Sequence, residues 1–384
     1  MLDEVGTIFG DVVYTRTYFK NKSTGEYAYL CDERYGIEPH ERMDMSLKAA
    51  IVEKSNDLSY AKSIEEFNTG IYSRSTVMNL IREMGPIENN YITSKSKNKP
   101  IKELFVEADE DHVATQHNGN KMVKIVYVHE GKRKVSKNRY ELINPRYFTS
   151  LSGANEDLWL EVTNYIYEVY NIDTVDNIYI SGDGAKWIKE GVNWIHKSVF
   201  VLDYFHLSKY IKKATAHMEY TSKYMWQYLK SDMKKDVKAL FEAIIESTEE
   251  PSKKDAVITS KKYVMNNWDA IQRLLNNKKL RCSAEGHVSH VLSDRLSSRP
   301  MGWSIEGADQ MARLRCFTQN GGKVYEYMKS KLATKKQKEK NIKIDSRTLK
   351  KSKRNNLGKL DNLIILNIGK VNPCSRYLKA VRGL

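Results

Sequence analysis

The 384-residue chain has no run of about eighteen apolar residues, so no segment is expected to span a membrane. It has only four cysteines (Cys31, Cys282, Cys316 and Cys374), scattered and without a Cys-x-x-Cys pair. That argues against a zinc knuckle and a disulfide scaffold, and it suits the cytoplasm. The opening residues, Met1-Leu2-Asp3-Glu4-Val5-Gly6, lack both the basic start and the apolar stretch of a secretion signal. Acidic residues are outnumbered, 48 Asp and Glu against 63 Lys and Arg, for a formal net charge of +15. An excess of cations points to a polyanionic partner, nucleic acid first, because each neutralised phosphate releases condensed counterions. A ribosomal or membrane-surface protein would be as basic, so charge leaves the chemistry open.

What is present fits a folded protein of two or three domains, with 41% hydrophobic and 10% aromatic residues. Residues 1–43 form a first region, in which alternating Val12, Tyr14 and Tyr18, a turn at Asn21-Lys22-Ser23-Thr24-Gly25, and Tyr27, Tyr29 and Cys31 predict a β-hairpin. Its abrupt start suggests a larger N-terminal module. Residues 44–100 read as helices followed by a basic linker. Within them, Leu58–Phe67 and Ser73–Ile81, joined through Gly70 with Ser73 as N-cap, match a helix-turn-helix. Its second helix would read a major groove through Arg74, Ser75 and Asn79; an ordinary packed helix pair has the same pattern.

Residues 101–206 change texture. Strands are predicted from Leu104 to Ala114, over Met122–Val128 after Asn118-Gly119-Asn120, and around Lys134–Leu142. An amphipathic helix follows over Glu156–Tyr170, then a strand over Asn177–Ser181, a helix from Trp187 to Trp194 and a strand over Ser198–Leu202. This is an α/β order with a mixed sheet, the order that ribonuclease-H-like folds use. Residues 207–280 read as an all-α insertion, 281–328 as the second part of the core, and 329–384 as a basic C-terminal region.

Asp109 falls in the first of these strands and Asp183 just past the end of another, where ligands gather in open α/β sheets. Two carboxylates about 4 Å apart repel by roughly 4 kcal/mol at an effective dielectric near 20, which a divalent cation relieves. Asp111 lies on the same side of the strand as Asp109 and competes for its place. Asp203-Tyr204-Phe205-His206 sets a carboxylate and an imidazole three residues apart at a helix start, a pattern that also fits a plain cap. Ser283 is placed to cap a helix whose first turn holds Glu285, with Arg295 and Arg299 downstream for phosphate. His287 and His290 near Glu285 have neither the zincin spacing nor that of a structural zinc site.

Taken together, Phe105-Val106-Glu107-Ala108-Asp109, Asp111-His112-Val113, Ile180 to Ile188, Leu202 to Leu207 and Cys282 to Ser304 resemble the bacterial insertion-sequence transposases of the ISLre type, within the broader Mutator-like group. The resemblance covers most of the chain. It implies a ribonuclease-H-like core with an Asp-Asp-Glu triad, Asp109, Asp183 and Glu285, holding two Mg2+ or Mn2+ ions, and a helical insertion before the Glu. It assigns His206 a place in the catalytic site, with Asp203 as its supporting carboxylate. Glu306 competes with Glu285 for the third position. The implied reaction is two-metal hydrolysis at the element's ends followed by strand transfer, on double-stranded DNA carrying terminal inverted repeats and on target DNA. Action as at least a dimer, in the cytoplasm on the nucleoid, goes with it. Two other readings are a truncated or domesticated copy that binds DNA without cutting, and a ribonuclease-H-like nuclease without strand transfer.

Overall fold

The even-numbered residues Leu104, Val106 and Ala108 are buried and apolar, while the odd positions from Glu107 to Asp111 are carboxylates. Such a two-residue period fits a strand with an apolar side and a polar one. In the computed structural model this segment forms β1 (Glu103–Thr115), which folds back on β2 (Gly119–His129). The structure describes residues 2–35, 41–67, 72–335 and 337–338, apart from positions 95, 118, 137–138, 152 and 300. Met1–Val324 make one compact unit and Tyr325–Leu384 a second, of which residues 325–335 are helical.

The central sheet has five strands. β3 (Arg146–Ser150) pairs antiparallel with β2, while β4 (Asn177–Gly182) lies parallel to β1 and β5 (Ser198–Leu202) parallel to β4. The spatial order is therefore β3-β2-β1-β4-β5. The protein is thus mixed α/β, with a mixed sheet and many helices.

Helix α3 (Asn155–Val169) covers the apolar side of this sheet; two earlier helices, α1 (Met45–Ser55) and α2 (Arg74–Met84), precede it in the chain. Leu158, Trp159, Val162 and Ile166 of α3 pack with Leu104, Val106, Ala108, Ile178 and Ile180, all essentially inaccessible to solvent. The indole of Trp159 also donates to the Trp187 carbonyl at 2.8 Å, so its one polar atom is satisfied in the core. Five helices follow β5: α4 (Tyr204–Thr215), α5 (Thr221–Lys230), α6 (Lys234–Ser247), α7 (Pro251–Asn266) and α8 (Trp268–Asn276). Their apolar residues, among them Leu207, Leu229, Phe241 and Ile271, form a second core with Phe105, Val201 and Leu202. The helical insertion is thereby fused to the sheet. After it come the short α9 (Ala284–Val288), a π-helical turn at Ser289–Ser293 and α10 (Ile305–Gln319).

Several expectations shift. The third sheet strand is Arg146–Ser150; Lys132–Lys134 and Tyr140–Leu142 instead pair as a small side hairpin. The reason is burial: all five residues of β3 are buried, whereas Lys132–Lys134 are largely solvated. Near the N-terminus, Gly10–Thr15 pairs with Leu2–Thr7, leaving Phe19–Lys20 to pair with Tyr27–Ala28 around the expected turn. The first helix of the predicted helix-turn-helix is only Lys62–Glu65, and Gly70 lies outside the described residues. Ser73 does cap α2, through a reciprocal capping box with Thr76. Trp187–Trp194 becomes a short helix, Lys186–Lys189, and a 3-10 turn, Glu190–Asn193. Among the described residues no helix is long and apolar enough to cross a membrane.

Candidate active site

Three neighbouring parallel strands share one register, which runs from the first half of β1 to the C-terminal ends of β4 and β5. Ser181 stands opposite both Glu107 on β1 and Val201 on β5. Extending that register by two residues aligns Asp109, midway along β1, with Asp183 and Asp203, which follow the ends of β4 and β5. The Asp203 amide continues the ladder by donating to the Gly182 carbonyl at 2.8 Å. Glycine is required at 182, because a Cβ there would stand 2.8 Å from the Ala108 carbonyl oxygen. Gly184 then takes φ +92, letting the chain turn sharply after Asp183. The Asp183 carboxylate accepts the Ala185 amide at 2.8 Å, and the Tyr263 hydroxyl donates to its main-chain carbonyl. Asp109 is buried, with 8% of its surface exposed.

Asp203 is both a cap and a partner. Its carboxylate accepts the amides of Phe205 and His206 at the start of α4, and it pairs with His206 Nδ1 at 2.9 Å. That bond raises the His206 pKa against the opposing effect of burial, and the negative charges of Asp203, Asp109 and Asp183 raise it further. His206 thus senses the field of all three aspartates. Burial, followed by the charges of Asp183, Tyr210 and Asp203, drives the Tyr263 phenol upward as well; its ring stacks on Tyr210 with centroids 3.8 Å apart.

The segment after the insertion runs along the polar side of β1 and is fastened there at intervals. Ser283 bonds to Glu107, Ser297 Oγ donates to Asp111 at 2.9 Å, and Trp303 bridges to Thr115. Asp109 lies between the first two of these attachments. α9 carries Glu285, whose side chain lies outside the described residues. Asp111, tied to Ser297, sits beyond the row shared by Asp109, Asp183 and Asp203. Glu306 is exposed in the first turn of α10, just after Trp303. Trp303 meets β1 at Thr115, about 20 Å further along the strand than Asp109.

Glu107 is the residue that sequence reasoning passed over. Only 3% exposed, it gathers Tyr127 Oη, His129 Nε2 at 3.1 Å, Lys132 Nζ at 3.0 Å, the Ser283 amide at 2.6 Å, Ser283 Oγ at 2.9 Å and Cys282 Sγ at 3.3 Å. Burial alone would raise its pKa; the His129 bond, the Lys132 and His129 charges and the Tyr127 hydroxyl outweigh it and hold the carboxyl well below the usual range. Its signal in the sequence was a Glu at an odd position of β1, on the same side as Asp109 and Asp111.

The basic candidates separate. Arg74, Ser75 and Asn79 are exposed on α2, whose opposite side buries Val77, Leu80 and Ile81. Arg299 is exposed too. Arg295 is not available to phosphate: it is 4% exposed, donates through Nε to the Ser55 carbonyl at 2.9 Å, and lies over the Trp303 and Tyr60 rings at 4.8 and 5.2 Å. Its guanidinium is a packing strut between the helices that precede and follow the sheet.

The donor set suits a hard divalent cation. Asp109 on the central strand and Asp183 after its neighbour are carboxylates, whereas the thiol of Cys282 is engaged with Glu107. Among the described residues no three His, Cys, Asp or Glu side chains already surround a common point. His287, grouped with His290 in the sequence, is occupied by Tyr147 Oη at 2.9 Å.

This mixed α/β protein belongs to the family described as "Uncharacterised protein family (UPF0236)", whose profile matches residues 3–333. It is similar to a UPF0236 protein of Caldanaerobacter subterraneus subsp. tengcongensis, 40% identical over 384 residues, covering 98% of this chain and 80% of the relative. A second UPF0236 protein of that organism is 39% identical over 384 residues, with 98% and 81% covered.

Proposed function

We propose that this protein is the DNA transposase of an insertion sequence, a metal-dependent polynucleotidyl transferase. The observation that carries the reading is the alignment of Asp109, midway along β1, with Asp183 and Asp203 just past the C-terminal ends of the adjacent parallel β4 and β5, with His206 in their field. The strand order β3-β2-β1-β4-β5, with β2 alone reversed among the first four neighbours of β1, supports a ribonuclease-H-like core. In this reading Asp109, Asp183 and Glu285 hold two Mg2+ or Mn2+ ions, which when bound supply an activated water and stabilise the departing 3′ oxygen. Asp203 orients His206 beside the aspartates through the bond to its Nδ1.

Charge and family context support a DNA substrate. The net charge is +15, and Lys209, Lys212 and Lys213 stand exposed on α4, directly after Asp203 and His206. The name of the first relative joins eleven locus designations and that of another joins four. Near-identical copies at many loci of one genome are what an element that moves itself leaves behind. Cutting both ends of an element together calls for at least two copies of the chain.

Purified protein, incubated with Mg2+ and DNA bearing the ends of its own element, should nick at those ends and join them to target DNA. Binding without nicking would favour a DNA-binding copy, and nicking without joined products a nuclease.

A further inference from the structure

α9 is held from both sides of Glu285. On the N-terminal side, Ser283 gives its amide and its hydroxyl to Glu107 Oε2, which also accepts from Tyr127 and Cys282. On the other side, His287 bonds Tyr147 Oη on β3, and its ring lies 4.8 Å from that of Tyr127. Tyr127 and Tyr147 are themselves neighbours, with ring centroids 5.3 Å apart. A five-residue helix has almost no stability of its own, so its place is set by what binds it. These contacts form a buried polar bracket that crosses β1, β2 and β3 and fixes the helix over the strand bearing Asp109.

We infer that Glu107, with Tyr147 and His287, is a positioning set: it holds α9, the helix that carries residue 285, in place over the strand that bears Asp109. The inference rests on the transposase reading for its chemistry, and on the bracket alone for its mechanics. Glu107 is acceptor-only when ionised and is surrounded by donors from Tyr127, His129, Lys132, Cys282 and Ser283. A glutamine there keeps the shape but turns one oxygen into a donor, so either Lys132 and His129 or the Ser283 pair loses an acceptor.

The test uses the full chain with Glu107→Gln and Tyr147→Phe. Three readouts are needed: amide hydrogen exchange without DNA or metal, DNA affinity, and cleavage as a function of Mn2+. Expected for Glu107→Gln are at least tenfold faster exchange at 284–288 with β1 and β2 unchanged, and DNA affinity within twofold. Cleavage should fall ten- to a hundredfold, with half-saturating Mn2+ rising by a similar factor, as when groups behind metal ligands are lost. Tyr147→Phe should show the same pattern, more weakly. If Glu107→Gln fails to fold, Tyr147→Phe and Ser283→Ala carry the comparison. Unchanged exchange at 284–288, or cleavage lost only in proportion to folded protein with the Mn2+ dependence unmoved, overturns the inference. A wild-type chain that never cuts DNA overturns the functional reading and the bracket's part in cleavage with it, while faster local exchange in the variants would still establish the bracket.

Discussion

The two sides of strand β1 differ in every respect that matters. Its even residues, Leu104, Val106 and Ala108, disappear beneath α3 in an apolar core around Trp159. On its other side Phe105 joins the second apolar core, and Glu107, Asp109 and Asp111 after it are carboxylates that burial should penalise. Each carboxylate meets that cost differently. Glu107 is saturated by donors, Asp111 takes one bond from Ser297 and keeps a buried oxygen without a hydrogen-bond partner, and Asp109 joins a row of like charges. On the proposed reading, the apolar side serves stability and the carboxylates from Glu107 to Asp111 serve the chemistry.

The strongest way to break that division is to attack the apolar side. Trp159→Ala should cost about 3–5 kcal/mol, read by urea denaturation, and remove DNA binding and cleavage together with the fold. Asp109→Asn should do the reverse. Cleavage disappears, while metal-free stability stays level or rises by up to about 1 kcal/mol as like-charge repulsion is relieved. A variant that lost stability and kept cleavage would erase the distinction.

The two arginines sharpen the same contrast on a smaller scale. Arg295→Ala should lower stability by about 2–3 kcal/mol, from the lost Ser55 bond and two ring contacts, with the DNA affinity of the folded fraction unchanged. Arg299→Ala should leave the melting curve in place and weaken DNA binding a few-fold, with a shallower salt dependence. Equal behaviour of the two would refute their assignment.

The most gradual effect is the pH response of the polar bracket. Burial holds His287 down to a pKa of about 4, whereas the unfolded chain protonates it near the ordinary histidine value of 6.5. The unfolded state therefore binds more protons between these values, and stability falls as pH drops through that window, by at most about 1.4 kcal/mol per unit. His287→Gln should flatten this part of the pH–stability curve; an unaltered slope would show that another group is responsible.

Much of this was readable beforehand because it is periodic. The alternation of β1, the 3.6-residue repeat of α3 and the helical texture of 204–276 each reflect a single buried side, and the structure has strands and helices there. Asp183 stood out because a glycine on each side leaves a charged residue at a strand end. Residues that depend on distant partners were harder to read. Glu107 looked like any strand glutamate, since its role comes from Ser283 and Lys132, brought to it by the fold. Arg295 looked like a phosphate ligand because nothing local reveals that Tyr60 and Trp303 enclose it. β3 was misplaced for a similar reason: its five residues are buried on both sides, so they carry no alternation to read.

The most direct measurement is a strand-transfer reaction with the purified chain, Mg2+, element-end DNA and a target plasmid, run beside Asp183→Ala. The wild-type protein should yield nicked ends and joined products, and Asp183→Ala neither, while binding the same DNA with similar affinity. Full cleavage and joining by Asp183→Ala would contradict the assignment of this strand-end row as the catalytic centre.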